Sequence, residues 1–231
     1  LDSIPRASSV SAGNMTMGTA GKITISRASS SFTHTLTYSF GNTSGTIATK
    51  TTETSVSWTP ALSLASQIPN ATSGTCTITC TTYNGNTNIG SKTCTLSLSV
   101  PSSVKPTISS LTASRIDGEV PSAWGLYVQT KSKVKLTING AAGSYGSTIK
   151  SYSITGGGYS GSASTLTTGF LNNSGTVTFK ATVTDSRGRV SAEASVSITV
   201  TAYSPPYFNS SLSQRCLSNG TLDDDGTYIH A

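Results

Sequence analysis

The sequence contains few charged residues, few aromatic residues and almost no acidic residues over its first hundred positions. Charged residues make up 10% and aromatic residues 7% of the 231 residues. Between positions 5 and 103 the one acidic residue is Glu53, so a two-carboxylate glycosidase site cannot lie within that part of the chain. Ser, Thr, Gly and Asn are abundant instead, and most of these residues favour strands and turns over helices. This composition predicts an all-β protein.

Other signatures of catalysis, metal binding and membrane insertion are also missing from the sequence. His34 has no Asp near it in the sequence, and the four cysteines form no CxxC pair and have no neighbouring histidine. No apolar run approaches the roughly 18 residues of a membrane span. No dense Lys/Arg cluster with interleaved aromatic residues indicates nucleic-acid binding. We therefore expect no enzyme activity, no cofactor, no metal site, no nucleic-acid partner and no membrane insertion.

Short runs of alternating apolar and polar residues, separated by Gly, Asn and Ser, recur along the chain and predict β-strands. The strongest pattern is a pair of runs at 75–83 and 89–100, joined by a turn that contains Asn84-Gly85. Both turn residues tolerate the positive φ of a tight hairpin. The pattern therefore predicts a β-hairpin with one inward face on each strand.

Three cysteines lie on the inward faces of this predicted hairpin. Cys76 and Cys80 share the first strand, and Cys94 on the second lies opposite one or the other, depending on the register. Three thiols on one face cannot all pair with one another, and free cysteine behaves as a small buried apolar residue. We expect reduced thiols in the core.

A second series of alternating runs begins after Pro101 and ends in a similar hairpin. This hairpin closes through the turn 185–188, where Asp and Gly are expected for backbone reasons. In the first series, a short helix is predicted at 60–68, because Thr59 can cap it and Pro60 suits its first position. The strands predicted in the second series are 133–138, 149–154, 176–184 and 190–200.

An internal repeat indicates the domain organisation. Pro106 and Arg115 recur as Pro206 and Arg215, at an offset of 100. About 100 residues with roughly seven short strands is the size of an immunoglobulin-like β-sandwich. We therefore predict tandem immunoglobulin-like β-sandwich modules, with the opening strands of a truncated third module after them. The predicted bounds are 1–103, 104–202 and 203–231.

Four residues of the predicted second module are candidate contacts for a glycan. An exposed aromatic ring at Trp124 could stack on a sugar. Lys131, Lys133 and Lys135 alternate with apolar residues and so share one solvent-facing side, where they could contact an anionic surface polymer. Alternatively, Trp124 packs in the core, and the lysines form a solvated strand face or protect a sheet edge from aggregation.

Several distinctive phrases follow one another in a fixed order along the chain. They are Ile4-Pro5-Arg6-Ala7-Ser8, Phe32-Thr33-His34-Thr35-Leu36, Ser44-Gly45-Thr46-Ile47-Ala48, Ser57-Trp58-Thr59-Pro60, Ile68-Pro69-Asn70-Ala71 and, near the C-terminus, Asp224-Asp225-Gly226-Thr227-Tyr228. Together they resemble a family of minor structural or tail-fibre proteins of long-tailed phages that infect Gram-positive bacteria, notably streptococci. The resemblance covers nearly the whole chain and is strongest over 4–103.

The resemblance implies a location in the virion, near the tail tip, and no catalytic residues. It also implies homo-oligomeric assembly, with trimers usual for fibres, and other tail proteins as partners. The modules would then act as spacers or display a surface that binds host cell-wall polysaccharide. Two alternatives remain at this point: the modules of a bacterial cell-surface adhesin or stalk, and an accessory binding region of a cell-wall hydrolase.

Overall fold

The alternating runs of the sequence form antiparallel strands that pack as two β-sandwiches, one after the other. The structure is a computed structural model, and it describes residues 6–116, 118–207 and 212–230. In this part of the chain the non-strand regular structure is limited to two short 3-10 helices, at Leu62–Gln67 and Ser122–Trp124. The predicted all-β, immunoglobulin-like sandwich class is confirmed.

The first sandwich is built from two facing sheets. In one sheet the strand order is β1-β3-β6, and in the other it is β2-β8-β7-β4-β5. The strands are β1 (Ser9–Ala12), β2 (Met15–Thr16), β3 (Gly21–Ser26), β4 (Phe32–Phe40), β5 (Thr43–Thr51), β6 (Ser55–Trp58), β7 (Ser73–Asn84) and β8 (Thr87–Ser99).

The second sandwich repeats this arrangement strand for strand. Its sheets have the orders β9-β11-β14 and β10-β16-β15-β12-β13. In both sandwiches the second strand pairs in parallel with the last one, and the other pairings are antiparallel. The strands are β9 (Ser110–Ile116), β10 (Tyr127–Val128), β11 (Lys133–Asn139), β12 (Ile149–Gly156), β13 (Tyr159–Gly161), β14 (Thr165–Thr167), β15 (Gly175–Asp185) and β16 (Ala194–Thr201).

Each sandwich has its own hydrophobic core, formed by the inward residues of its strands. Leu36 and Ile78 are fully buried in the first core, and Leu136 and Phe179 are fully buried in the second. Burying one such side chain contributes about 1.5–3 kcal/mol. Val104, in the connection between the sandwiches, packs in the first core. Two separate cores support the predicted division near 103, which remains a prediction, as does the boundary near 203.

The predicted hairpin at the end of the first sandwich forms, but its register differs from both predicted alternatives, in which Cys94 lay opposite Cys76 or Cys80. Cys94 pairs with Ile78, so it lies between Cys76 and Cys80 rather than opposite either of them. All three side chains carry free thiols. Burial raises the pKa of Cys76 to about 11, and burial also raises the pKa of Cys80. The thiols therefore stay protonated and act as apolar core residues.

The helix predicted at 60–68 forms as a shorter 3-10 helix, Leu62–Gln67, which packs Leu64 and Ala65 into the first core. Thr59 does not cap it, because the residue before the helix is Ala61, and no side chain caps the first turn. Within the described residues, no helix is long and apolar enough to cross a membrane.

The C-terminal residues form a small antiparallel pair, β17 (Gln214–Cys216) and β18 (Tyr228–His230). Arg215 donates from Nε to the carbonyl oxygen of Gly226 at 2.8 Å. Arg115 donates from Nη1 to the carbonyl oxygen of Leu126, at 3.2 Å. Both arginines thus bind a main-chain oxygen shortly before the next strand, and the repeat remains a prediction. Ile4-Pro5 of the N-terminal phrase and residues 208–211 lie outside the described residues.

Candidate functional site

The long connection between β9 and β10 presents Trp124 to solvent. This tryptophan ends the 3-10 helix Ser122–Trp124, and Gly125 follows in the left-handed conformation, with φ of 64°. Its side chain is 63% exposed. A large aromatic ring loses favourable burial in such a position, so exposed aromatic rings commonly mark binding surfaces.

Arg115 on β9 fixes this exposed loop. Its guanidinium donates to the carbonyl oxygens of Ser122 at 2.8 Å, Leu126 at 3.2 Å and Pro121 at 3.4 Å. Several donors of one planar group thus bind oxygens on both sides of Trp124, which only the forked guanidinium allows. The backbone on both sides of the tryptophan is therefore held in place.

A shallow pocket of about 200 Å³ lies beside the tryptophan. Trp124 and Tyr203 line it together with Glu119 and Lys131. Lys131 Nζ donates to Glu119 Oε2 at 2.6 Å, and this contact raises the pKa of Lys131. The same Nζ lies 5.7 Å from the centre of the Tyr203 ring. The pocket thus combines aromatic faces with a carboxylate that is paired with an ammonium group.

A second pocket, of about 210 Å³, adjoins the first across the Glu119–Lys131 pair. Phe170, in the connection between β14 and β15, forms its aromatic wall, and Lys133 Nζ lies 4.6 Å from the centre of that ring. Tyr159 fixes the Phe170 backbone by donating from its hydroxyl to the carbonyl oxygen. The second pocket therefore carries an ammonium group without a carboxylate bonded to it in the described part of the chain.

The structure brings together three of the four predicted contact residues. Trp124 and Lys131 line the first pocket, whereas Lys131 and Lys133 line the second. Lys135 is exposed on the same face of β11 but lines neither pocket. Sequence reasoning missed Glu119, Phe170 and Tyr203. An apolar residue within a polar connection was the available signal for Phe170, and an aromatic residue two positions before the Pro205-Pro206 pair was the signal for Tyr203.

The first sandwich contains a serine–histidine pair of a kind that elsewhere serves catalysis. Ser8 Oγ lies 2.9 Å from His34 Nε2, and the backbone nitrogen of Ser8 donates to Thr82 Oγ1 at 2.9 Å. Ser8 is 2% exposed and His34 is fully buried, and burial lowers the pKa of His34. Because both side chains are buried, a substrate cannot reach this pair. The two hydrogen bonds of Ser8 instead tie the N-terminal segment to the core. Among the described residues, no cluster of His, Cys, Asp and Glu side chains could hold a metal ion.

Solved structures that resemble the chain are tandem arrays of small modules. The fibronectin(III)-like modules of CbhA from Clostridium thermocellum share 16% identity over 84% of this chain and 94% of that chain, with a TM-score of 0.33. The FN1–FN3 domains of chicken CNTN1 share 10% identity over 85% and 68%, with a TM-score of 0.31. Three N-terminal domains of the Hoc outer capsid protein of bacteriophage RB49 share 13% identity over 85% and 59%, with a TM-score of 0.25.

The sequence itself matches one family profile over almost its full length. That family is described as "Siphovirus protein of unknown function (DUF859)", and the match spans residues 1–222. A comparison with curated proteins finds no match.

Proposed function

The chain belongs to this family of siphovirus proteins, and from that premise we propose that it is a structural component of the phage tail, in a fibre or at the tip. In this role the two sandwiches space other parts of the tail, and the second sandwich contacts a glycan of the host surface. Family membership favours a phage protein over the bacterial adhesin or stalk and over the accessory region of a wall hydrolase.

The spacer role is supported by the repetition of one strand order in two sandwiches with separate cores. Arrays of such modules gain length by adding units, each of which folds around its own core. Other tail proteins are the proposed partners, and a homo-oligomer, specifically a trimer, is the proposed assembly.

The glycan contact is supported above all by Trp124, which is exposed on a loop whose backbone Arg115 binds. An exposed aromatic face can stack on the C–H face of a pyranose ring, and a fixed loop backbone reduces the entropy that binding costs. Glu119, at the rim of the same pocket, can accept hydrogen bonds from sugar hydroxyl groups. Specificity in such pockets comes from a few polar groups around an apolar surface.

The charges at the two pockets suggest how a glycan would lie. Glu119 compensates the charge of Lys131, so the pocket at Trp124 suits a neutral sugar. Lys133, above Phe170, offers an ammonium group to an anionic substituent further along the same glycan. The arrangement thus fits a wall polysaccharide that carries occasional phosphate or carboxylate groups.

Binding of the fluorescently labelled chain to streptococcal cells, with and without their surface polysaccharide, tests the proposal. We expect binding to depend on the polysaccharide and Trp124→Ala to weaken it about tenfold or more, which corresponds to about 1.4 kcal/mol. Lys135→Ala is the matched control, because Lys135 lies on the same face outside both pockets.

The outcomes separate the two parts of the proposal. Equal binding of Trp124→Ala and the wild-type chain would exclude this pocket as the glycan site. If the wild-type chain did not bind cells at all, the glycan contact would be wrong, and the chain would act as a spacer alone.

A further inference from the structure

The turn that connects β15 and β16 reaches out of the second sandwich and enters the end of the first. At its tip Arg187 is 7% exposed, although an arginine in a hairpin turn normally extends into water. Its guanidinium lies among main-chain oxygens of both sandwiches. The turn therefore contacts the first sandwich in addition to joining β15 to β16.

Arg187 divides its hydrogen bonds between the two sandwiches. On the first sandwich it donates from Nη2 to the carbonyl oxygen of Ala65 at 2.8 Å and from Nε to that of Ile68 at 3.3 Å. On the second it donates from Nη1 to Ser144 at 2.6 Å and from Nη2 to Tyr145 at 2.8 Å. A planar fork of donors can bind four oxygens in fixed directions, and the ammonium group of lysine cannot.

Neighbouring residues of the turn add further bonds across the same junction. Ser186 Oγ donates to the carbonyl oxygen of Pro69 at 2.7 Å. The guanidinium of Arg189 donates to the carbonyl oxygens of Val100, Pro101 and Val104, at the end of the first sandwich and in the connection. The turn thus holds the 3-10 helix connection from one side and the inter-sandwich connection from the other.

Asp185 holds the turn in shape from within the second sandwich. It is fully buried, and its Oδ1 accepts the backbone N–H groups of Arg187 at 3.0 Å and Arg189 at 2.9 Å. Gly188 allows the reversal with φ of 79°. The carboxylate also compensates part of the charge of the buried guanidinium, which would be costly to bury alone.

We infer that residues 185–189 form a latch that fixes the orientation of the two sandwiches and makes them move as one rigid body. A ring of carbonyl oxygens at a module junction is the kind of environment that could hold a metal cation. Here the guanidinium group of Arg187 takes the position of that cation. The latch consequently needs no divalent ion, and it does not depend on what Trp124 binds.

Residual dipolar couplings of the backbone amides, measured on the full chain in a weakly aligning medium, test this inference. One alignment tensor should fit both sandwiches of the wild-type chain, and a metal chelator should not change it. Arg187→Ala combined with Arg189→Ala should require two different tensors, because Ser186 is then the one side chain of the latch that still bonds to the first sandwich, and the sandwiches reorient independently. Lys180→Ala, which removes an exposed basic residue from the same hairpin, should behave as the wild type does.

Four results would overturn the inference: two tensors for the wild-type chain, a change of its tensor on chelation, or a single tensor for either double variant. The second double variant, Arg187→Lys with Arg189→Lys, is used in case the double alanine variant unfolds the second sandwich. It keeps both charges but loses both planar forks, so it too should give two tensors. A single tensor for it would show that charge alone holds the junction.

Discussion

The two sandwiches share a strand order but differ in the connections between corresponding strands. In the first sandwich, two residues, 13 and 14, connect β1 to β2. In the second, the corresponding connection between β9 and β10 spans residues 117–126 and includes the exposed Trp124. Between β6 and β7 the first has the 3-10 helix whose carbonyl oxygens receive the latch, whereas the second presents Phe170 in the corresponding connection. One framework thus supports two different surfaces.

The cores also differ at corresponding places in the ladder. In the first sandwich Tyr38 of β4 pairs with Ile78 of β7, and in the second Gly156 of β12 pairs with Phe179 of β15. In the first sandwich the larger residue of the pair lies on β4, and in the second it lies on β15, which corresponds to β7. Cores accept such exchanges when the total volume is retained.

Removing the ring that fills the second core should have the largest effect. Phe179→Ala should lower the free energy of unfolding of the second sandwich by about 3–5 kcal/mol, because the side chain is fully buried. Thermal unfolding followed by amide NMR signals of each sandwich would measure this loss. A loss below about 1 kcal/mol would contradict the prediction and mean that the core collapses around the cavity.

A methyl group at Gly156 should show whether the second sandwich has room for a side chain opposite Phe179. Gly156→Ala should lower the stability of the second sandwich by more than about 1 kcal/mol. The new Cβ would lie 2.5 Å from the carbonyl oxygen of Thr178 and 2.7 Å from the Cα of Phe179, at a φ of +146°. Gly13→Ala is the control, since nothing lies within 4 Å of its Cβ position. Equal melting temperatures of the two variants would show that β12 can move aside.

The smallest expected effect is that of mild acid, which should lower the stability of the first sandwich and leave that of the second unchanged. Burial lowers the pKa of His34 from its usual 6.5, and the charge of Arg27 lowers it further, against an opposing contact with the Thr51 backbone. Because the folded first sandwich resists protonation, its stability is complete above pH 6.5 and falls as the pH drops from there through the lowered pKa. Melting curves between pH 7 and 5 would show this decline.

The second sandwich has no histidine and should keep its melting temperature over the same pH range. His34→Leu should abolish the decline in the first sandwich. A decline of equal size in both sandwiches, or one that survives His34→Leu, would contradict the assignment to this residue.

Much of the framework could be predicted from the sequence, because strand alternation is a local signal. Alternation and the Asn84-Gly85 turn predicted the hairpin, which forms with Gly85 at a φ of 60°. The register of Cys94 could not be predicted, because one bulge between Thr82 and Tyr83 shifts the strands past each other. Local patterns do not encode such a shift.

The sites were harder to predict than the strands because they join residues from distant connections. Trp124 and Lys131 could be proposed from one stretch of sequence, but Tyr203 reaches the same pocket only through the fold. The latch was missed altogether, and the sequence pattern placed Arg187 only within the predicted turn 185–188. Its partners are main-chain oxygens, which every residue has and which therefore leave no pattern in the sequence.

The parallel pairing of the second and last strands has a mechanical consequence. In the first sandwich Met15 pairs with Leu98 and Thr16 with Ser99, and the Thr16 and Ser99 hydroxyl groups lie 3.0 Å apart. Tension applied at the two ends of a sandwich pulls these strands past each other along their length. The bonds between them then carry the load together, so the sandwich resists stretching better than one whose terminal strands peel apart bond by bond.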